Sequence, residues 1–188
     1  MKVLYVDTTT ADLIVAVVQD NKILDFSKPN AGTRHSETLC NCVSEALSQS
    51  GLNFDDLDAY ACAVGPGSFT GIRIGISTLK GYSMAVSKPL ISVNCLEAIS
   101  LSNQLGNKGR AVMDAGNGYY FADYSEEHPV APCLVAYDSD CAKNCATATL
   151  ASQYMDGAVE IVRRKFLEKD FVEELEPCYI RRSQAEER

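Results

Sequence analysis

From Asp58 to Lys88 the chain reads as an apolar strand, a rigid break and a helix carrying almost nothing that belongs in water. Ala59 to Val64 is an uncharged run of strand length, and Gly65-Pro66-Gly67 interrupts it, since proline fixes φ while glycine reaches positive φ. Ser68 or Thr70 can accept a hydrogen bond from the free N–H groups of the next turn, so the helix is capped from within the motif. Between Gly71 and Ala85 the charges are Arg73 and Lys80, seven apart and therefore on one narrow stripe. One flank, Ile72, Ile76, Leu79 and Ser83, is expected to pack on the chain's own sheet. Another flank, Gly71, Gly75, Thr78 and Tyr82, is expected to form a smooth groove that a second molecule's helix can approach. Three glycines in a helix cost about 1 kcal/mol each against alanine, and close packing is the simplest compensation.

The run Gly65-Pro66-Gly67-Ser68-Phe69-Thr70-Gly71-Ile72-Arg73-Ile74-Gly75 resembles the signature of the TsaB family, also called YeaZ. The resemblance implies a two-lobed α/β fold of the actin-like, Hsp70-like (ASKHA) class. It also implies a non-catalytic scaffold that supports threonylcarbamoyl transfer to the adenosine next to a tRNA anticodon. The implied partner is the related catalytic subunit TsaD, in a heterodimer, with an ATPase as a third subunit and tRNA met indirectly. In that family the helices opening at His35 and Thr70 pack against their counterparts in the partner as a helical bundle. The expected partner-binding residues are His35, Thr38, Cys42, Thr70, Gly71, Ile74, Gly75, Thr78 and Tyr82.

Lys2 to Asp7 is an apolar strand ending in a carboxylate, and Leu13 to Val18 and Lys22 to Ser27 are two more, turned at Gln19-Asp20-Asn21. This opening resembles the first hairpin of the actin-like fold, where the chain turns under a nucleotide phosphate. Asp7 and Thr9 stand as the candidate nucleotide contacts. Thr8, however, occupies the place of a glycine that would let the backbone approach phosphate. Thr33 to Leu39 opens a helix running to about Ser50, with Thr33 or Ser36 as cap, Glu37 at the positive end of the dipole and Gly51 as stop. Leu39, Val43, Ala46 and Leu47 are its core stripe. The TsaD subunit carries a His-x-x-x-His pair in the corresponding helix, but here the position four after His35 is Leu39. One imidazole beside Arg34 cannot hold a catalytic metal, so His35 is read as an interface or capping residue and no metal is expected.

Pro89 to Val93 reads as a strand and Cys95 to Leu105 as a helix, closing a first lobe over residues 1–105. Gly106 to Gly109 is the clearest linker, and residues 110–188 are expected to form a smaller lobe whose last residues pack back on the first. Within it, Arg110 to Tyr124 reads as strand, turn and strand, Pro132 to Tyr137 as a strand, and Thr147 to Tyr154 and Ala158 to Lys169 as helices. Pro177 to Arg182 resembles the close of the same family. Beyond Gly118 Gly157 alone remains, too little glycine for an actin-like approach to adenosine and phosphate.

Net charge is −8, and the most cationic stretch, residues 156–188, holds seven cations against nine acids. An acidic chain repels phosphate backbones, so it is not expected to be the main docking surface for RNA. Eight cysteines show no Cys-x-x-Cys pair, and Cys141 and Cys145 have the distant His35 and His128 for company. Reduced thiols in a cytoplasmic protein are expected. The longest uncharged run, Ala59 to Ile72, is fourteen residues, short of the about 20 needed to span a bilayer. No residue is nominated as catalytic and no cofactor is expected. Two other readings stay open: an actin-like ATPase or metallopeptidase-like enzyme of the same superfamily, and a homodimer using the same helix surface.

Overall fold

The computed structural model describes residues 1–20, 22–28, 34–102, 109–126 and 129–180. Five strands form the first sheet: β1 (Lys2–Asp7), β2 (Ile14–Gln19), β3 (Lys22–Asp25), β4 (Ala59–Gly65) and β5 (Leu90–Asn94), in the order β3-β2-β1-β4-β5. β1, β2 and β3 pair antiparallel, whereas β1, β4 and β5 run parallel. Both faces are covered, so the strands read as continuous apolar runs. The period of two still sorts the side chains. Leu4, Val6, Tyr60, Cys62 and Val64 join a core with helices α1 (His35–Ser50) and α2 (Phe69–Val86). Val3, Tyr5, Ala59, Ala61 and Ala63 join the opposite core, under α3 (Cys95–Leu101) and α4 (Met155–Glu168).

That second core continues into a four-stranded sheet of β6 (Arg110–Asp114), β7 (Tyr119–Asp123), β8 (Val130–Val135) and β9 (Ala146–Thr147), ordered β8-β7-β6-β9. Gly157 lets α4 lie close on α3, because a Cβ there would overlap the carbonyl oxygen of Ala98. The tail returns to the first sheet: Val172 donates its N–H to Leu90 O of the edge strand β5 at 2.9 Å and Cys178 to Val64 O, near the end of β4, at 2.7 Å. The α/β class with two sheets is the one expected. No helix among the described residues is long and apolar enough to cross a membrane.

Several boundaries differ for identifiable reasons. Helix α1 begins at His35 behind Arg34, with no side-chain cap, and Ser36 lies inside its first turn; Thr33 is outside the described residues. Gly51, at φ 67°, ends it as expected. The expected helix over Thr147 to Tyr154 is instead a short strand and a 3-10 turn, Ala151–Tyr154. Ala146 and Thr147 are drawn out by pairing with β6, and Gln153 Oε1 takes the N–H groups of Thr149 and Leu150. Helix α4 starts three residues early, at Met155. Helix α3 ends at Leu101; Leu105, Gly106 to Lys108, His128, Arg181 and Arg182 lie outside the described residues.

Candidate functional site

The turn after β1 is a densely hydrogen-bonded polar structure. The Asp7 carboxylate is fully buried and accepts hydrogen bonds from Thr9 N at 2.8 Å, Thr9 Oγ1 at 2.6 Å, Tyr154 Oη at 2.9 Å and Tyr5 Oη at 3.2 Å. Burial pushes its pKa up from the ordinary range, while the bonds from Thr9, Tyr154 and Tyr5 pull the other way. Next along the turn, Thr10 Oγ1 accepts from Ala151 N at 3.0 Å, and the buried Asp12 accepts from Ser152 Oγ. The residues around Tyr154 thus fasten the second sheet's side of the molecule to the first hairpin. Tyr154, Asp12 and Ser152 were not singled out by sequence reasoning, and no local pattern marks them.

The same turn explains the signature helix and corrects one expectation about it. Gly71 and Gly75 face this chain's own β1 turn, not a partner. A Cβ at Gly71 would overlap Thr8 O, and one at Gly75 would lie 2.6 Å from Thr8 Oγ1 and 3.3 Å from Cys62 Sγ. Thr8 Oγ1 donates to Gly71 O at 2.7 Å, and Ser68 N donates to Thr9 O at 2.7 Å. Gly71, Ile72, Gly75, Ile76, Leu79 and Ser83 form one buried arc, so the glycine flank belongs to the core. The face left open is opposite: Thr70, Ser77 and Gly81 are exposed, Ile74 is half-buried and Met84 is 78% exposed. Nothing lies within 4 Å of a Cβ built on Gly81.

The remaining expected residues divide in the same way. His35 is buried, its Nε2 2.9 Å from Thr10 O, and Cys42 is buried with Sγ donating to Phe26 O. Both are held by this chain. Thr38 is half-buried, its hydroxyl donating to Arg34 O. Thr78 and Tyr82 are half-buried on the flank nearer α1, with the Tyr82 ring 4.7 Å from that of Phe54. Of the nine expected partner-binding residues, Thr70 and Ile74 stand on the open face of α2, Thr78 and Tyr82 stand at its border, and Thr38 stands half-buried on α1.

A cleft of about 440 Å³ lies between the two sheets, lined by Thr9, Ser68, Asp114, Gly116, Tyr120 and Thr149 among others. The residues around it do not fit the phosphate of a nucleotide. The N–H of Thr9 is spent on Asp7, that of Asp12 on Thr10 Oγ1, and that of Gly71 on Ser68 Oγ. Gly67 is pressed against the Thr9 backbone, where a Cβ would stand 2.6 Å from the oxygen. The charge the cleft presents is negative: Asp114, whose pKa is lowered by the N–H of Gly116 and the hydroxyl of Tyr137. Asp7 and Thr9, expected as nucleotide contacts, are occupied with each other and with Tyr154.

Comparison with known proteins agrees with this architecture. The family model described as TsaD, tRNA N6-adenosine threonylcarbamoyltransferase, matches residues 28–130. A tRNA N6-adenosine threonylcarbamoyltransferase of Methylobacterium sp. (strain 4-46) is 35% identical over 125 residues, covering 56% of this chain and 36% of that protein. The tRNA threonylcarbamoyladenosine biosynthesis protein TsaB of Escherichia coli (strain K12) is 30% identical over 131 residues, covering 68% of this chain and 56% of that protein. The chain therefore spans about a third to a half of these curated relatives. Among solved structures, YeaZ from Pseudomonas aeruginosa superposes with a TM-score of 0.75 at 20% identity, over 95% of this chain and 99% of that one.

Proposed function

The chain belongs to the family described by the threonylcarbamoyltransferase model, on its TsaB/YeaZ branch, and from that premise we propose that it is a non-catalytic subunit of a tRNA threonylcarbamoyladenosine-forming complex. Its role is to bind a TsaD-type transferase through the outer faces of α1 and α2. The observation that carries this reading is the closed turn after β1. In an actin-like enzyme this turn must offer free backbone N–H groups and a reachable carboxylate. Here the carboxylate is fully enclosed by four donors from the chain itself.

The open face of α2 supports the other half of the reading. Ile74, Gly81 and Met84 recur at spacings of seven and three, and they present apolar and small side chains that a second helix can cover. The test is co-purification with the transferase subunit of the same organism, alongside ATP turnover by this chain alone. A stable complex with no turnover by the isolated chain is expected. Steady hydrolysis by the isolated chain would favour the enzyme reading instead.

A further inference from the structure

Arg73 sits beside the open face of α2 in an unusual setting. Its guanidinium lies over the Phe69 ring, 3.9 Å from the centroid, and its Nε donates to Tyr179 Oη at 2.8 Å. Phe69 and Tyr179 stack on each other with centroids 4.6 Å apart and planes 26° apart. Two aromatic rings and a hydroxyl therefore hold a surface arginine in one pose. The residue is nevertheless exposed, and among the described residues it forms no ion pair. Lys80, the other cation of this helix, is already matched by Glu174 at 3.6 Å.

Holding a cation in place without an acid makes sense where the acid comes from elsewhere. A guanidinium is a planar fork that meets a carboxylate with two parallel bonds, and one already ordered gives up little freedom in doing so. We propose that Arg73 is the charge anchor of the α2 docking face, taking a carboxylate from a helix of the protein that packs there. The proposal rests on the scaffold reading above and names the chemistry its partner must bring. An RNA phosphate fits less well. The chain carries a net charge of −8, and phosphate tracking needs several cations together. Here the one neighbouring cation on the helix is neutralised.

The experiment is a calorimetric titration of the same organism's transferase subunit with wild type, R73K, R73E and Y179F, at low and high salt, beside melting curves of each chain alone. R73E should weaken binding by about 30-fold or more, as truncating one partner of an interfacial charge pair commonly does. R73K, which keeps the charge but not the fork, should recover part of that loss, and Y179F should fall between R73K and wild type. All four should melt alike, and the affinity of R73E should depend less on salt. Unchanged binding by R73E overturns the anchor while leaving the scaffold intact; a wild type that does not bind overturns both. Equal losses in R73E and Y179F, with new protease cleavage over residues 170–180, would reduce Arg73 to a clamp for the tail and sink the proposal. Loss of retention on purified tRNA with no change toward the protein would sink it too.

Discussion

Thr8 decides what the glycines of the signature helix are for. Its carbonyl and hydroxyl press on Gly71 and Gly75, so each glycine can be assigned a sign on substitution. Gly71→Ala should lose about 1–3 kcal/mol, toward the upper end because the obstacle is backbone and cannot swing aside. Gly75→Ala meets the Thr8 hydroxyl and the Cys62 sulfur and should lose less, while Gly81→Ala, with open space around it, should gain up to about 1 kcal/mol from helix propensity. Urea midpoints rank the three, and a neutral Gly71→Ala would contradict the packing described. Asp7 makes a second residue-scale prediction. Burial raises its folded pKa above the unfolded value of about 3.9, so the native state holds the proton more tightly. Its stabilising share is therefore full below the unfolded value and falls as pH rises through the folded one. Asp7→Asn, which cannot ionise, should improve relative to wild type as the pH rises from the unfolded value of about 3.9, with the difference levelling off once the raised folded value is passed. A difference in stability that does not change over this range would mean that Asp7 ionises as freely in the fold as outside it.

At the scale of elements, the strands and helices of the first sheet were legible because their signals are local. Lys2 to Asp7 and Ala59 to Val64 read as apolar runs of strand length, and the stripe of Leu39, Val43, Ala46 and Leu47 marked the buried side of α1, whereas the sorting of Leu4 and Val6 from Val3 and Tyr5 came with the structure. The two flanks of α2 were only half legible. The arc of Ile72, Ile76 and Leu79 is buried as expected, but the glycines beside it are consistent with either a partner's helix or the chain's own backbone. Spacing along a helix cannot distinguish the two; the contact with Thr8 crosses 63 residues. The bond from Tyr154 to Asp7 crosses 147, and no window of sequence contains both ends. That bond is testable on its own element. Tyr154→Phe leaves the buried carboxylate one donor short and should cost about 1–3 kcal/mol by urea unfolding, an effect Tyr137→Phe on the exposed hairpin should not share. For α2, Met84→Asp places a charge on the open face, where the 78% exposed side chain leaves the isolated chain to melt as before and binding to the transferase should be weakened. A variant that unfolds instead would mean that Met84 belongs to this chain's core.

Taken whole, the molecule fastens its two sheets to each other beside the cleft that lies between them. Asp7, Thr10 and Asp12 of the first hairpin bond to Tyr154, Ala151 and Ser152 before α4, the Asp7–Tyr154 bond buried and the other two half-buried. Closing this cleft on a nucleotide phosphate would require the turn after β1 to exchange its internal partners for phosphate oxygens. Here that exchange would take the two Thr9 donors away from Asp7 and leave a buried carboxyl short of partners beside further negative charge, a cost of several kcal/mol before any contact to the ligand is made. The energetics thus oppose binding more strongly than the loss of a single glycine at Thr8 would suggest. A ligand present at a hundred times its dissociation constant would raise native stability by about 2.7 kcal/mol. Millimolar Mg·ATP added to this chain alone should therefore leave its melting temperature unchanged, whereas the Tyr154→Phe chain, with its latch weakened, should respond no more strongly because the backbone donors of Thr9 and Gly71 stay committed. A clear upward shift in the wild type would show that the turn opens, and with it that the two sheets are not fastened as described.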